Sequence, residues 1–185
     1  MSTQPPTHRL FFALWPNATS QSALAHATRA IVSSSDGRAV PTQNFHLTLV
    51  FLGSVHESRI GELAPIAASV AAVFASGHQP VAIELDRIEH WRKPEIICAT
   101  PSADRPGVAM LSDALKRALI EQGFVSPDSV PEFRAHVTLA RKVRTPVRAM
   151  PIAPQLWSLS KFVLVESRRQ SQGSVYSTLA SFPLS

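Results

Sequence analysis

His46-Leu47-Thr48-Leu49 and His136-Val137-Thr138-Leu139 are the segments of this sequence whose residue types and spacing could do chemistry. In an extended strand side chains alternate, so residues i and i+2 share a face about 6 to 7 Å apart, and each segment presents an imidazole beside a hydroxyl. Two such segments supply two imidazoles, the minimum set for concerted general acid and general base catalysis near neutral pH without a metal. Threonine hydroxyls can donate hydrogen bonds to the non-bridging oxygens of a phosphate, stabilising charge there as bond orders change. The set fits phosphodiester chemistry. The bland alternative is a pair of half-exposed strands whose outer faces happen to carry His and the β-favouring Thr.

Other chemistries find no signature. There is no G-x-S-x-G, Walker loop or dinucleotide fingerprint, and no His-x-His, His-x-x-x-His or His/Cys cluster, so neither a metal nor another cofactor is expected. His8, His26, His56 and His78 fall in polar or terminal stretches and read as surface residues.

The elements that must position the two segments follow from periodicity. Arg9 to Trp15 is an apolar run stopped by Pro16-Asn17 and reads as a strand leading into a helix, with Leu24, Ala27 and Ile31 at helical spacing. Phe45, Leu47, Leu49 and Phe51 fall on one face of the strand that carries His46 and Thr48 on the other. Ile60, Leu63, Ala67, Val70 and Phe74 mark a second helix. Val81–Trp91 and Glu95–Thr100 form a hairpin. Asp104 can cap a third helix striped by Val108, Leu111, Leu115 and Ala118, with Gly123 at its end. Phe133–Arg141 is again extended, and Trp157–Glu166 and Ser174–Phe182 read as closing strands. The order strand, helix, strand with His-x-Thr thus occurs twice, which suggests an internal duplication: two similar α+β lobes facing each other across a cleft.

Composition bounds the rest. The 185 residues, 45% hydrophobic and 17% charged, suit a folded chain and exclude disordered and fibrous classes. Eighteen Lys and Arg against thirteen Asp and Glu give +5, a modest attraction for anions including nucleic acid. The apolar stretch Leu63–Ala75 contains Pro65 and falls short of the ~20 residues of a membrane span, so no membrane association is expected. The polar start of the chain and the single cysteine, Cys98, fit a cytoplasmic compartment.

Arg9-Leu10-Phe11-Phe12-Ala13, Asn44-Phe45-His46-Leu47-Thr48-Leu49 with Phe51-Leu52-Gly53, His136-Val137-Thr138-Leu139-Ala140-Arg141, and Ser167 ahead of Gly173, Tyr176 and Leu179 together resemble the two-histidine phosphoesterases. Within that superfamily the likeness is to the RNA 2′,3′-cyclic phosphodiesterases, also named 2′-5′ RNA ligases, over nearly the whole chain. The resemblance implies one bilobal α+β domain over 1–185, with two antiparallel-sheet-plus-helix lobes in pseudo-two-fold symmetry around a central cleft. It also implies metal-independent hydrolysis of a terminal 2′,3′-cyclic phosphate to a 2′-phosphate. Catalysis then falls to His46 and His136, in roles that a symmetric pair does not distinguish, and Thr48 and Thr138 bind the substrate. The same chemistry with a 5′-hydroxyl in place of water would join a cyclic phosphate end to it in a 2′-5′ linkage.

Two further substrate contacts come from the resemblance. Arg141 matches a family arginine associated with substrate contact, yet strict alternation from His136 points it to the opposite face unless the strand bulges or ends. Phe11 is placed at the cleft, where an aromatic ring could stack on a nucleobase. The first strand ends Leu14-Trp15-Pro16, where members of the family often carry an acidic residue and one residue more. The expected partners are RNA ends or nucleotides bearing a 2′,3′-cyclic phosphate, met by a monomer. The alternative from a different class is a non-catalytic RNA- or nucleotide-binding module.

Overall fold

The computed structural model describes residues 6–77, 81–103, 106–129, 132–171 and 173–184; Asp104 and His78 lie outside them. The chain runs β1 (Thr7–Leu14), α1 (Ala18–Ser34), β2 (Arg38–Ala39), β3 (Leu47–His56), α2 (Ile60–Ser76), β4 (Val81–Trp91), β5 (Ile96–Thr100), α3 (Pro106–Glu121), β6 (Val137–Arg141), β7 (Met150–Leu159), β8 (Lys161–Gln170) and β9 (Gly173–Pro183). The fold class is α+β. Among the described residues the strands join one nine-stranded antiparallel sheet in the order β7-β4-β5-β6-β3-β1-β8-β9, with β2 paired to β6.

The main core lies on the helix face of the sheet, where Leu10, Phe12 and Leu14 of β1, Leu47 of β3 and Val137 and Leu139 of β6 meet Leu24, Leu63 and Leu111 of the helices. A second, smaller cluster of Phe11, Ala13, Val163 and Val165 covers the opposite face of β1 and β8. Strand β1 is therefore buried on both sides, which is why it reads as an unbroken apolar run.

Helix α1 starts where Asn17 accepts the Ser20 amide at 2.8 Å, an N-cap that satisfies one of the orphan donors of the first turn. Its buried face is Gln21, Leu24 and Thr28 rather than the Leu24, Ala27, Ile31 stripe. The two polar residues are tolerated because both are paired: Thr28 Oγ1 donates to the Leu24 carbonyl, and the Gln21 amide donates to the carbonyls of Gln43 and Phe45.

The stretch Trp157–Glu166 is two strands, not one, broken at Ser160, and the preceding Met150–Leu156 is also extended. Pro151 and Pro154 argue against a strand there, but β7 is a sheet edge, the place where proline costs no ladder bond. Only Ser160 separates β7 from β8 although five strands lie between them in the pairing order, so the sheet curves strongly.

The helical stretch Glu57–Ser76 is 20 residues with a mean hydropathy of 1.3 in its most apolar window, long and apolar enough by composition to cross a membrane. Counted from Leu63 the apolar run is too short for a span, whereas the helical stretch itself begins at Glu57. Alanines raise the hydropathy, and the buried side chains Leu63, Ala67, Val70 and Ala71 pack into the core, with α3 and β9 among the neighbouring elements. His8 is likewise not a plain surface residue: its Nδ1 lies 2.7 Å from Oε1 of Glu166, a carboxylate only 5% exposed that also meets Arg168 at 2.8 Å.

Candidate active site

Strands β3 and β6 meet at a single pair, Leu47 opposite Val137, in antiparallel register. Both side chains are fully buried in the main core. Their sequence neighbours therefore point to the other face of the sheet, and extending the register by one residue each way sets His46 across from Thr138 and Thr48 across from His136. The two His-x-Thr segments share one face around one central pair.

Each imidazole is held in the same way. His46 Nδ1 lies 2.7 Å from the carbonyl oxygen of Asn44, and His136 Nδ1 lies 2.7 Å from that of Arg134. A carbonyl only accepts, so Nδ1 carries the hydrogen in both rings and Nε2 is left as the site that gains or loses a proton. The hydrogen bonds of Gln21 to Gln43 and Phe45 fix the backbone on either side of Asn44, so a buried amide of α1 positions the carbonyl that orients His46. Nothing in the periodicity of α1 signals that role.

The surroundings of the two rings differ. His46 is stacked on Trp15 with centroids 4.8 Å apart and an 8° interplanar angle, and the rings of Phe11 and Tyr176 lie 5.1 and 5.2 Å away. His136 packs on Trp91 at 4.5 Å, with the Arg134 guanidinium 4.3 Å from the centre of that indole. Burial in this aromatic enclosure pushes His46 down to about 4, helped by the charges of Arg141 and His136 and opposed by the Asn44 hydrogen bond. Burial also lowers His136, with Arg141 and Arg134 acting in the same direction. Arg141 thus acts electrostatically on both imidazoles.

Leu49 and Leu139, the residues that close the two H-x-T-L segments, are both bulges. Opposite β1 the register skips Leu49, with Ala13 facing Thr48 and Phe12 facing Val50. Opposite β5 it skips Leu139, with Cys98 facing Thr138 and Ile97 facing Ala140. The extra residue turns the third residue after each threonine back to the threonine's face. That brings Arg141 to the cavity, the outcome strict alternation excludes. It also moves Phe51, which alternation assigns to the core with Leu47 and Leu49, to the cavity wall with 42% of its surface exposed. At the two bulged residues, the buried hydroxyl of Ser112 on α3 donates to the Leu49 carbonyl at 2.8 Å, and the Val40 amide donates to the Leu139 carbonyl at 2.8 Å, continuing the β2–β6 pairing.

A cavity of about 660 Å³ opens beside β3, with His46, Thr48, Phe11, Phe51, Arg141 and Tyr176 in its wall. His136 and Thr138 lie outside that lining, on the same sheet face across the β3–β6 pair. Phe11 faces the cavity but is only 3% exposed, with its ring against His46. Arg9, Arg38, Lys142 and Arg169 add four cations to Arg141, and no acidic side chain lines the space among the described residues. Among the described residues no group of three His, Cys, Asp or Glu side chains is placed to hold a metal ion.

The segment after Arg141 is strapped down. Asp36 accepts the amides of Arg144 and Thr145 at 3.2 and 3.0 Å, and the amide of Val147 donates to His90 Nδ1 at 3.1 Å. A Cβ on Gly37 would overlap Cγ2 of the buried Val143 and meet the Arg141 carbonyl at 3.0 Å. Gly37→Ala is therefore expected to cost about 1–3 kcal/mol, a fall of about 2–12 °C in a thermal melt. A variant that melted with the wild type would show that the strap yields.

The model of the 2′-5′ RNA ligase superfamily matches residues 16–170 of the chain. The chain belongs to the 2′-5′ RNA ligase superfamily. It is 27% identical to the RNA 2′,3′-cyclic phosphodiesterase of Thermus thermophilus over 95% of its own length and 90% of that protein's. It is also 34% identical to the enzyme of the same name from Aeropyrum pernix over 116 residues, 56% of each chain. The structure superposes on E. coli LigT complexed with 3′-AMP with a TM-score of 0.84, 22% identity and coverage of 96% and 98% of the two chains, which shows a shared fold.

Proposed function

We propose that the protein hydrolyses the 2′,3′-cyclic phosphate of RNA ends or nucleotides to a 2′-phosphate by metal-independent two-histidine catalysis. The observation that carries this reading is the antiparallel Leu47–Val137 pair, which sets two Nδ1-anchored imidazoles and two hydroxyls on one sheet face. One imidazole takes a proton from water through Nε2 as the water oxygen attacks phosphorus. The other delivers its Nε2 proton to O3′ as the P–O3′ bond breaks, so the 2′-ester remains. Thr48 and Thr138 donate to the non-bridging oxygens, and Arg141 offsets the charge that builds there. With a 5′-hydroxyl in place of water as the nucleophile, the same groups would form a 2′-5′ linkage as the P–O3′ bond breaks, and run backwards they would cleave it to the cyclic phosphate.

The reading also takes the fold as two halves in pseudo-two-fold relation within one domain. Supporting it, β1–α1–β3 and β5–α3–β6 repeat the same order, and the strands continue outward from the seam as β3-β1-β8-β9 on one side and β6-β5-β4-β7 on the other.

Turnover of a 2′,3′-cyclic mononucleotide in excess chelator tests the proposal. Ring opening to the 2′-phosphate is expected at an undiminished rate; binding without turnover would make the protein a nucleotide-binding module. The pH dependence follows from the lowered imidazoles. In the free enzyme the active form has one imidazole neutral and one protonated, a state most populated between the two pKa values, and both lie below the usual 6.5. The kcat/KM profile should therefore peak on the acid side of 6.5. Bound phosphate favours imidazolium, so the kcat profile should be displaced to higher pH. A kcat/KM that climbs steadily to pH 9 would indicate a metal-bound hydroxide instead.

A further inference from the structure

We propose that Trp15 is a positioning residue for the reaction: its indole, lying flat on His46, fixes the plane of that imidazole and so the direction of Nε2, and keeps water from one face of the ring. The proposal rests on the two-histidine reading of the site. The hydrogen bond from Nδ1 to the Asn44 carbonyl anchors one atom of the ring. It leaves the plane unsettled, because the torsion that turns an imidazole about its Cβ–Cγ bond is soft. The indole supplies the missing constraint: the two rings are 8° from parallel with centroids 4.8 Å apart, an offset stack in which each plane defines the other. Tyr176 braces both, meeting His46 at 5.2 Å and 72° and Trp15 at 5.8 Å and 70°.

The chain dictates this arrangement locally. A residue before proline is confined to extended backbone, so Pro16 keeps Trp15 in line with β1. Alternation then puts it on the face of Phe11 and Ala13, where it packs on the second cluster. The cap at Asn17 holds the turn from the other side. His136 is held differently: Trp91 meets it at a tilt of 52°, gives its Nε1 hydrogen to Glu89 and carries the Arg134 guanidinium 4.3 Å from its ring centre. A change at Trp15 therefore addresses one imidazole of the pair. The titratable and charged groups around His46 are the Tyr176 phenol on β9, His136 and Arg141 at the two ends of β6, and Arg9 of β1 in the cavity wall; a substitution at Trp15 leaves them in place. Uncovering the ring face lets water stabilise the imidazolium, and burial is the largest influence on His46, so its titration should move up. The lost π-face, which favours imidazolium, opposes that rise only in part.

Trp15→Ala, Trp15→Leu and Trp15→Phe in the intact protein test this, through steady-state hydrolysis of a 2′,3′-cyclic mononucleotide and NMR titration of the histidine rings without substrate. Trp15→Leu keeps an apolar side chain but no flat face, and it carries the rate measurement should Trp15→Ala fail to fold. Both should lower kcat by about 10- to 100-fold with KM within about threefold of the wild type, since a misplacement of about 1 Å at the reacting groups costs up to that much. His46 in Trp15→Ala should titrate higher than its wild-type value of about 4, by about 1 or more in pH, with His136 unmoved. Trp15→Phe, which restores a plate, should recover most of both. An undiminished kcat in folded Trp15→Ala or Trp15→Leu, a loss confined to KM, no recovery in folded Trp15→Phe, or a His46 midpoint that stays in place or moves only together with that of His136 overturns the proposal. Failure of the catalytic reading appears separately, as absent turnover by the wild type, while the titrations still report whether Trp15 governs the His46 ring.

Discussion

His46→Ala and His136→Ala are each expected to lower kcat by about 10²- to 10⁴-fold, the usual contribution of one positioned general acid or base. The fold should survive both changes, because each ring is only partly buried and the backbone around it is held by other bonds: Gln21 on the carbonyls flanking Asn44, and the Leu47–Val137 pair at the seam. The double variant should lose far less than the product of the single losses, since a transition state already deprived of its base gains little from the acid. Steady-state rates of the three variants with one cyclic nucleotide decide the matter. Near wild-type activity in either single variant would remove the paired-imidazole mechanism.

Thr48→Val and Thr138→Val should each lower kcat by about 10²- to 10³-fold, because they delete a donor aimed at the oxygens on which charge develops. Valine keeps the shape and the β preference of threonine, so the loss reports the hydroxyl and not the strand. The register that sets Thr48 across from His136 and Thr138 across from His46 predicts losses of similar size. Thr→Ser, which keeps the hydroxyl, should recover most of the rate. A loss confined to KM would mean that the hydroxyls bind the substrate and transition state equally.

Several features are legible in the residues because they are local. The i, i+2 spacing of His46 and Thr48, and of His136 and Thr138, needs only that each segment be extended. The helices over Ile60–Ser76 and Pro106–Glu121 declare themselves through apolar periodicity, and Asn17 announces the start of α1 through its side chain. The first seven residues of β7, Met150–Leu156, escape notice because Pro151 and Pro154 suit a sheet strand mainly at an edge, and whether a strand is an edge depends on the whole pairing order.

The repeated H-x-T-L segments, the chemistry they offer and the elements bearing them were determined by the sequence itself, since strand alternation and helical period are properties of short stretches of chain. Only the tertiary structure decided what surrounds them. The bulges at Leu49 and Leu139 are register shifts against β1 and β5, and the Leu49 carbonyl accepts from Ser112 of the distant α3. Those bulges turn Arg141 and Phe51 toward the cavity. Trp15 comes to His46, and Trp91 to His136, through side-chain packing between residues that are distant along the chain. A side chain's direction within a strand follows from its own neighbours, whereas register, bulges and ring contacts depend on partners remote in sequence, and no local pattern encodes those.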